Sequence, residues 1–308
     1  MDAAVMFFIV GAVARLMRSD LRIPAPLYEA LSIYLLLAIG LKGGAELAKQ
    51  DPLAILPKAL AVVALGALIP LLAYPVLRAI GRFSRSDAGA IAGHYGSVSV
   101  VTYAVGVNFL VQQAMPHESY MPLLLVLLEV PGIVVGVLLA RSGGSVAWSK
   151  LLHEVLLGKS VVLLVGGLLV GWAAGPKGIE PLTPFFFQLF KGVLCLFLLE
   201  MGLVAASHFG DLRKTGFFLI GFGVGMPLVA AGLGILLGTV IGLSPGGTVL
   251  LATLAGSASY IAAPAAMRIA VPEANPAISI TAALAITFPF NIVVGIPLYF
   301  QLTQLLRS

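Results

Sequence analysis

The segments GHYGSVSVVT (residues 93–102) and TLAGSASYIA (residues 253–262) decide the fold of this chain. Each places glycine and serine in the middle of an apolar stretch that is otherwise long enough to cross a membrane. Glycine tolerates unwound backbone, and unwound backbone at membrane depth occurs only where protein or a water-filled cavity covers it. Pro264, just after the second segment, removes a backbone donor from its helix. The two segments therefore predict interrupted helices whose ends meet around a buried site.

The composition of the whole chain is that of a polytopic helical membrane protein. Of its 308 residues, 60% are hydrophobic and 10% are charged, whereas soluble domains carry about 25% charged residues. These values exclude a disordered chain, a nucleic-acid-binding protein and a disulfide scaffold. The net charge of +5 is explained by basic loop residues that orient membrane helices, so we expect no nucleic-acid partner.

Ten segments are long and apolar enough to be candidate membrane spans, given that a transmembrane helix needs about 20 apolar residues. They are residues 3–18, 26–41, 53–80, 87–110, 119–140, 158–175, 184–207, 215–241, 246–270 and 276–304. The fold class expected is therefore an all-α polytopic membrane protein with ten transmembrane helices. Its expected parts are a first five-span repeat at 1–140, a linker at 141–157 and a second five-span repeat at 158–308.

Basic residues are unevenly distributed between the two sides of these spans. The loops after odd-numbered spans hold twelve of the 18 Lys and Arg residues: Arg15, Arg18, Arg22, Arg78, Arg82, Arg85, Arg141, Lys150, Lys159, Arg213, Lys214 and Arg268. The positive-inside rule assigns this side to the cytoplasm. We therefore expect both termini to face outward and the linker 141–157 to be cytoplasmic.

Short strings recur between the two halves at a nearly constant offset. LLAIGL at 36–41 is similar to LLEMGL at 198–203, and GSVS at 96–99 is similar to GSAS at 256–259. Chance is the alternative, but the order and spacing of the matches favour a repeat. Each half has five spans, and because this number is odd, the second half has the opposite orientation in the membrane. Inverted repeats of this kind are frequent in secondary transporters. We therefore expect broken helices 4 and 9 to cross near the midplane.

The two strings offer groups for both an anion and a cation. The N-terminus of a half-helix offers unpaired N–H groups and a partial positive charge for an anion, and hydroxyls and carbonyls suit Na⁺. Opposite unit charges about 4 Å apart attract by about 4 kcal/mol at an effective dielectric constant of about 20, so the two ions would bind together. Tight helix packing by small residues is the alternative interpretation. The predicted substrate-binding residues are Gly96, Ser97, Val98, Ser99, Gly256, Ser257, Ala258 and Ser259, and the predicted ion-binding residues are Ser99, Thr102, Ser259 and Glu129.

Two acidic residues lie deep in apolar spans, Glu129 in span 5 and Glu200 in span 7. Ionisable groups at that depth are costly and usually functional, so each could ligate Na⁺ or carry a proton. The alternative is a protonated carboxyl, or one paired with Lys191 or Arg268. His94 is a proton carrier, an anion donor or a hydrogen-bonded core histidine.

Further residues are assigned structural roles, and the sequence lacks enzyme signatures. Asn108 and Asn291 are expected to hydrogen-bond between helices. The sequence contains no HExxH, GxSxG or P-loop motif. We therefore expect no catalytic residue and no cofactor beyond Na⁺ as coupling ion.

These residues together resemble the sodium-dependent bicarbonate transporter (SbtA-type) family of cyanobacteria and other bacteria. The similarity follows all ten spans in order and is strongest at residues 23–44, 93–106, 201–202, 211–214, 257–264 and 268–276. The resemblance implies a core and a gate domain, a homotrimer, an elevator-like movement, and bicarbonate and Na⁺ bound between spans 4 and 9. It also implies the bacterial cytoplasmic (inner) membrane and, for some members, inhibition by a PII-like protein.

Four departures from the family pattern bear on the function. Tyr260 stands where the family often has an acidic residue, which removes a candidate Na⁺ ligand. Ala262 and Ala263 replace a more polar Ser-Gly pair, and Glu129 replaces an aspartate. The linker is shorter than in cyanobacterial members, so a PII-like partner is less well supported.

The function expected is secondary active import of a small anion, bicarbonate above all, by symport with Na⁺. A carrier for an organic carboxylate coupled to H⁺ through Glu129 and Glu200 is the main alternative. More remote alternatives are an intramembrane enzyme with these two carboxylates as an acid–base pair, a passive channel and a non-transporting sensor.

Overall fold

The computed structural model describes residues 2–141 and 148–306, apart from the side chains of Pro52 and residues 211–215. Residues 142–147 of the expected linker lie outside the described residues. The first half contains α1 (Ala3–Leu16), α2 (Ala25–Leu47), α3 (Pro52–Ala79), α4 (Arg85–Gly96), α5 (Val100–Gln112) and α6 (Met121–Ala140). Then follow α7 (Trp148–Leu156), α8 (Lys159–Ile179), α9 (Phe190–Ser207), α10 (Phe209–Val240), α11 (Pro245–Ala255), α12 (Ala262–Ala270) and a final helical segment α13 (Pro276–Leu305).

The lengths and compositions of these helices fit a membrane protein. Eight helical segments of the described chain are long and apolar enough to cross a membrane, and α1 and α11 are apolar but shorter. Predicted span 1 therefore corresponds to a helix of only 14 residues, and predicted span 9 is divided between α11 and α12. Large apolar side chains such as Phe217 (93% exposed) and Val240 (82% exposed) lie on outer faces, which is typical of lipid-facing helices. The predicted all-α polytopic membrane fold is confirmed, and the number of spans stays a prediction.

Four helices, α1, α2, α8 and α9, pack together through glycines and form what we call the scaffold group. Helix α1 lies against α9, where Gly11 contacts the backbone of Leu199. Helix α2 lies against α8, where a methyl group on Gly40 would be 2.7 Å from the Leu164 carbonyl oxygen and 3.0 Å from the Gly167 Cα. Small residues let membrane helices approach this closely. Because glycine has no side chain, these glycines determine how closely the helices of the scaffold group approach one another.

The remaining long helices, α3–α6 and α10–α13, form a second set that we call the crossover group. In the first half of the crossover group, α4 packs closely against α6. A methyl group on Gly96 would be 2.7 Å from both the Gly132 Cα and the Pro70 Cδ, and one on Gly136 would be 2.5 Å from the Gly93 Cα. In the second half, α10 approaches α11, where a methyl group on Gly234 would be 2.8 Å from the Ala252 Cα. Close packing therefore holds the last turn of α4 in place.

The N-termini of α4 and α11 are capped in the same way. The Ser84 hydroxyl accepts a 3.0 Å hydrogen bond from the Asp87 N–H, and the Ser244 hydroxyl accepts one of 3.0 Å from the Gly247 N–H. Each end is also tied to a distant loop by a carboxylate. Asp87 accepts a 2.7 Å bond from the Asn275 N–H, and Glu118 accepts a 3.0 Å bond from the Ser244 hydroxyl. Capping satisfies donors that a helix leaves unpaired, so both helices enter the protein interior from a fixed start.

A pair of glycines in α8 tests the packing of the scaffold group. Gly171 faces α2, where an added methyl group would lie 2.9 Å from the Ala45 amide nitrogen, whereas nothing lies within 4 Å of a methyl group on Gly166. We expect Gly171→Ala to destabilise the protein by about 1–3 kcal/mol through overpacking. Gly166→Ala is the matched control, and its higher helix propensity predicts unchanged or slightly greater stability. Thermal unfolding of the purified protein in detergent measures both, and equal melting temperatures for the two variants would contradict this packing.

Candidate functional site

Two chain interruptions lie inside the crossover group. Helix α4 ends at Gly96 and α5 begins at Val100, and the residues between them include Ser97 and Ser99 in extended conformation. Helix α11 ends at Ala255 and α12 begins at Ala262, so residues 256–261 separate these two helices. The predicted anion-binding strings coincide with these interruptions. Ser97 and Ser257 are each 1% exposed, so both interruptions are buried.

The two interruptions bond to each other. The Ser99 N–H donates a 2.9 Å hydrogen bond to the Ser257 hydroxyl oxygen, and that hydroxyl donates to the Leu254 carbonyl at 2.7 Å. In the other direction, the Ser259 N–H donates to the His94 carbonyl oxygen at 2.8 Å. Backbone N–H and C=O groups that lie outside a helix in the membrane interior need hydrogen-bond partners from the protein. Each interruption therefore supplies partners that the other needs, and we call the region where they meet the crossing.

Two helix N-termini start at the crossing. The Ser99 hydroxyl accepts a 3.2 Å hydrogen bond from the Thr102 N–H at the start of α5, and the Ser259 hydroxyl accepts one of 3.1 Å from the Ala263 N–H at the start of α12. A helix leaves four N–H groups unpaired at its N-terminus, so each cap satisfies only some of them. The other N–H groups and the positive ends of both helix dipoles suit a small anion.

The second interruption is braced by side chains of α13. Asn291 donates from its amide nitrogen to the Gly256 carbonyl oxygen at 2.8 Å, an interhelical bond of the kind expected for this residue. The Tyr299 hydroxyl donates to the Asn291 side-chain oxygen at 2.7 Å. Asn291 lies in a π-helical stretch, Asn291–Gly295, and such wide turns are frequent at functional sites. Val98 and Ala258, buried and apolar, contribute only backbone groups to the crossing.

Sequence analysis missed a second brace, between Tyr95 and α13. The Tyr95 hydroxyl and the Thr287 hydroxyl lie 2.7 Å apart, and Thr287 donates to the Gly223 carbonyl oxygen at 2.7 Å. This chain of hydrogen bonds connects α4, α13 and α10. The partners are separated by 192 and 64 positions, and no local pattern in the sequence signals such a contact.

Several polar atoms at the crossing are buried without a hydrogen-bond partner. One is the Ser97 hydroxyl oxygen; the Nε2 of His94, in the last turn of α4 before the crossing, also has no partner among the described residues. The Tyr260 hydroxyl also lacks a bond of normal geometry, although the Ser99 side chain lies beside it. A buried polar group left unsatisfied costs about 1–3 kcal/mol. Unsatisfied atoms at this position are therefore available to a polar ligand.

Glu129 lies beside the crossing and does not bond to its serines. It is 1% exposed, and its Oε2 has no partner. Gly132, one turn further along α6, packs on Gly96, and residues three apart share a helix face. Glu129 therefore lies one turn of α6 beyond the contact between Gly132 and Gly96, at the level of the interruption that follows Gly96. The structure brings Ser99 and Ser257 into contact, with Ser259 in the same interruption as Ser257, and places the predicted ion ligand Glu129 on α6, level with the first interruption.

The other deep carboxylate belongs to the scaffold group. The Glu200 Oε2 is also buried without a partner, and the side chain of Glu200 interacts electrostatically with Tyr28. Lys191 pairs instead with Asp2 at 3.7 Å. In the described part of the chain, no ion pair joins Glu129 or Glu200 to Lys191 or Arg268, so pairing does not explain either carboxylate. Nor do the described residues form a group of three or more His, Cys, Asp or Glu side chains that could hold a metal ion.

Comparison with known protein families finds one family that covers nearly the whole chain. The sequence profile of the Na⁺-dependent bicarbonate transporter superfamily matches residues 3–304, from the first residue of α1 to the last turn of α13. A comparison with curated proteins finds no match. The match includes both interruptions and both helix groups, and the chain belongs to the Na⁺-dependent bicarbonate transporter superfamily.

Proposed function

We propose that this protein is a secondary active transporter that imports bicarbonate by symport with Na⁺. The observation that carries the proposal is the buried crossing, where the N-termini of α5 and α12 meet. Neither interruption contains a lysine or an arginine, so the attraction for an anion comes from backbone N–H groups. Membership of the superfamily supports Na⁺ and bicarbonate as the transported pair.

The anion is proposed to bind at the strings Gly96–Ser99 and Gly256–Ser259, through backbone N–H groups there that make no hydrogen bond to the described residues, those of Val98 and Ala258. The Ser97 hydroxyl, which lacks a partner, is the side chain best suited to donate to an oxygen of the anion. Hydrogen bonds to charged acceptors are about twice as strong as those between neutral groups. A monovalent oxyanion therefore satisfies donors that the protein leaves unpaired.

Na⁺ is proposed to bind Ser99, Thr102 and Ser259, with Glu129 supplying a negative charge nearby. The hydroxyls of Ser99 and Ser259 each accept one capping hydrogen bond, and a hydroxyl oxygen has a second lone pair that can coordinate a cation. Tyr260 replaces the acidic residue expected in the family, so Glu129 is the carboxylate left near the crossing. Charge attraction between Na⁺ and the anion then couples their binding.

Two five-helix repeats of inverted orientation, residues 1–140 and 158–308, are proposed to build the crossing at the membrane midplane. Support comes from matching roles at positions 160 residues apart. Ser84 and Ser244 both cap helix N-termini, and the hydroxyls of Ser99 and Ser259 both accept a hydrogen bond from a first-turn N–H of a helix that starts at the crossing. The contact of α1 with α9 also has a counterpart in the contact of α8 with α2. An inverted repeat with ten spans accounts for all of these pairs.

Transport is proposed to occur by an elevator-type movement of the crossover group against the scaffold group. The two groups touch at few polar points, such as the hydrogen bond from Asn108 to Asp2. Elsewhere the contact is apolar, for example the rings of Phe8 and Phe288, 5.7 Å apart. We further propose, from the family resemblance, a homotrimer in the bacterial inner membrane. Its termini would face outward, its linker would be cytoplasmic, and a PII-like protein could regulate it.

Uptake of radiolabelled bicarbonate into proteoliposomes tests the proposed function. We expect an inward Na⁺ gradient to drive accumulation and an equal choline gradient to drive none. Uptake driven by a pH gradient without Na⁺ would instead favour the H⁺-coupled carboxylate carrier. A steady current in a planar bilayer would indicate a channel, and bicarbonate binding without flux would indicate a sensor.

Removing the hydroxyl that joins the two interruptions tests the crossing. Ser257→Ala leaves the Ser99 N–H without its partner, and this loss of about 1–3 kcal/mol predicts at least about a fivefold fall in the uptake rate. Thr253→Val is the matched control, because the buried Thr253 hydroxyl donates only to Val249 of its own helix. We expect the control to retain most of its uptake. Equal uptake by both variants would contradict a role for the Ser99–Ser257 bond.

Neutralising Glu129 tests its part in Na⁺ binding. Glu129→Gln keeps the size of the side chain and removes its charge, so we expect the Na⁺ concentration for half-maximal uptake to rise roughly tenfold. Glu129→Asp, which retains the charge, should be affected less. Glu46→Gln, at an exposed residue paired with Lys49, is the control for loss of a carboxylate. If Glu129→Gln leaves the Na⁺ dependence unchanged, Glu129 is not part of the ion site.

A further inference from the structure

A cavity of about 110 Å³ opens between α4, α12 and the start of α13. It does not reach any of the residues predicted to bind the anion at the crossing, nor any described residue of the scaffold group. A water molecule occupies about 30 Å³ in the liquid, so the cavity has room for an oxyanion of a few heavy atoms. Three polar side chains line it, those of His94, Arg268 and Ser279.

His94 lines this cavity and carries an unpaired ring nitrogen. The residue is 1% exposed, and its Nδ1 lies 2.8 Å from the Ala90 carbonyl oxygen. A carbonyl oxygen only accepts, so Nδ1 carries the proton, and the Nε2 of the neutral ring is an acceptor. Nε2 is buried and has no hydrogen-bond partner among the residues that the structure describes. A ligand that completes the bonding of His94 must therefore offer a hydrogen-bond donor.

The charge at the cavity selects an anion. Arg268 is exposed at the end of α12 and contributes a guanidinium group that offers five N–H donors. None of the described residues that line the cavity is acidic, so no carboxylate neutralises Arg268 from within it. The Ser279 hydroxyl makes only a long, 3.4 Å bond to the Pro276 carbonyl oxygen and retains capacity for a second polar contact.

We propose that this cavity is a second binding site, for a small oxyanion that carries one O–H group. The Arg268 guanidinium binds the charged oxygens, and the His94 Nε2 accepts the hydroxyl hydrogen. Bicarbonate has this chemistry, whereas nitrate has the same charge and a similar planar shape but no O–H. The choice of bicarbonate as the ligand rests on the proposed function, and the need for both an anionic and a donor group follows from the cavity.

The position of His94 connects this second site to the crossing. The residue lines the cavity, and its carbonyl oxygen accepts the hydrogen bond from the Ser259 N–H. A ligand that fixes the His94 ring therefore acts on the same turn of α4 that holds the second interruption. Binding in the cavity is expected to be independent of Na⁺, because none of the proposed Na⁺ ligands lines it.

Histidine NMR of the whole protein in nanodiscs tests the second site. The chain has four histidines, so ¹⁵N-histidine labelling gives few signals, and His94→Gln identifies the signal of His94. In Na⁺-free choline buffer at constant pH, we expect bicarbonate to shift the His94 Nε2 signal in a saturable manner and nitrate to leave it unmoved. Arg268→Gln, at an exposed position where misfolding is not expected, should weaken the bicarbonate response about tenfold.

The controls separate this proposal from the proposed function. Arg22→Gln removes an exposed arginine outside the cavity and should leave the response unchanged. Ser257→Ala should reduce uptake and keep the His94 response. No shift with bicarbonate, an equal shift with nitrate, or an unaltered response in Arg268→Gln would each overturn the second site. A normal His94 response in a protein that shows no Na⁺-driven uptake would support the second site and contradict the proposed function.

Discussion

Backbone groups that leave a helix inside hydrocarbon must find partners within the protein, and the crossing depends on this constraint. An unpaired amide in an apolar environment costs several kcal/mol. The Ser99 N–H is satisfied by the Ser257 hydroxyl, and the Ser259 N–H by the His94 carbonyl oxygen. Either interruption without the other would leave one of these donors unpaired. The two interruptions are therefore stable only as a pair, which explains why similar Gly-Ser strings occur in both halves of the chain.

The two interruptions are held by partly different means, although their positions correspond. The first follows Gly96, which is fixed by close packing on Gly132 and Pro70. The second follows α11 and is fixed by the hydrogen bond from Asn291 to the Gly256 carbonyl oxygen. The first interruption also follows Tyr95, whose hydroxyl bonds to that of Thr287 in α13. Hydrogen bonds to α13 therefore brace both interruptions, and close packing adds to the hold on the first.

The sequence predicted those features that depend on local composition. Apolar runs located the long helices, and the Gly-Ser strings located the buried chain between α4 and α5 and between α11 and α12. Predicted span 1, residues 3–18, ends two residues beyond α1, because hydropathy measures apolar character and does not locate helix ends. Hydropathy also could not predict the bond between Tyr95 and Thr287, whose partners are 192 positions apart. Hydrogen-bond partners across a fold depend on packing geometry, which short patterns do not encode.

The distribution of positive charge distinguishes the crossing from the cavity behind it. An arginine at the crossing would add a full positive charge to the charge-assisted bonds that backbone N–H groups give an anion, and tighter binding slows release. Helix N-termini provide a weaker attraction that is confined to the first turn, which suits a site that must bind and release its substrate in each cycle. Arg268 instead lines the separate cavity with His94. Because a guanidinium group retains an anion more strongly, the cavity is better suited to continuous occupancy than to transport.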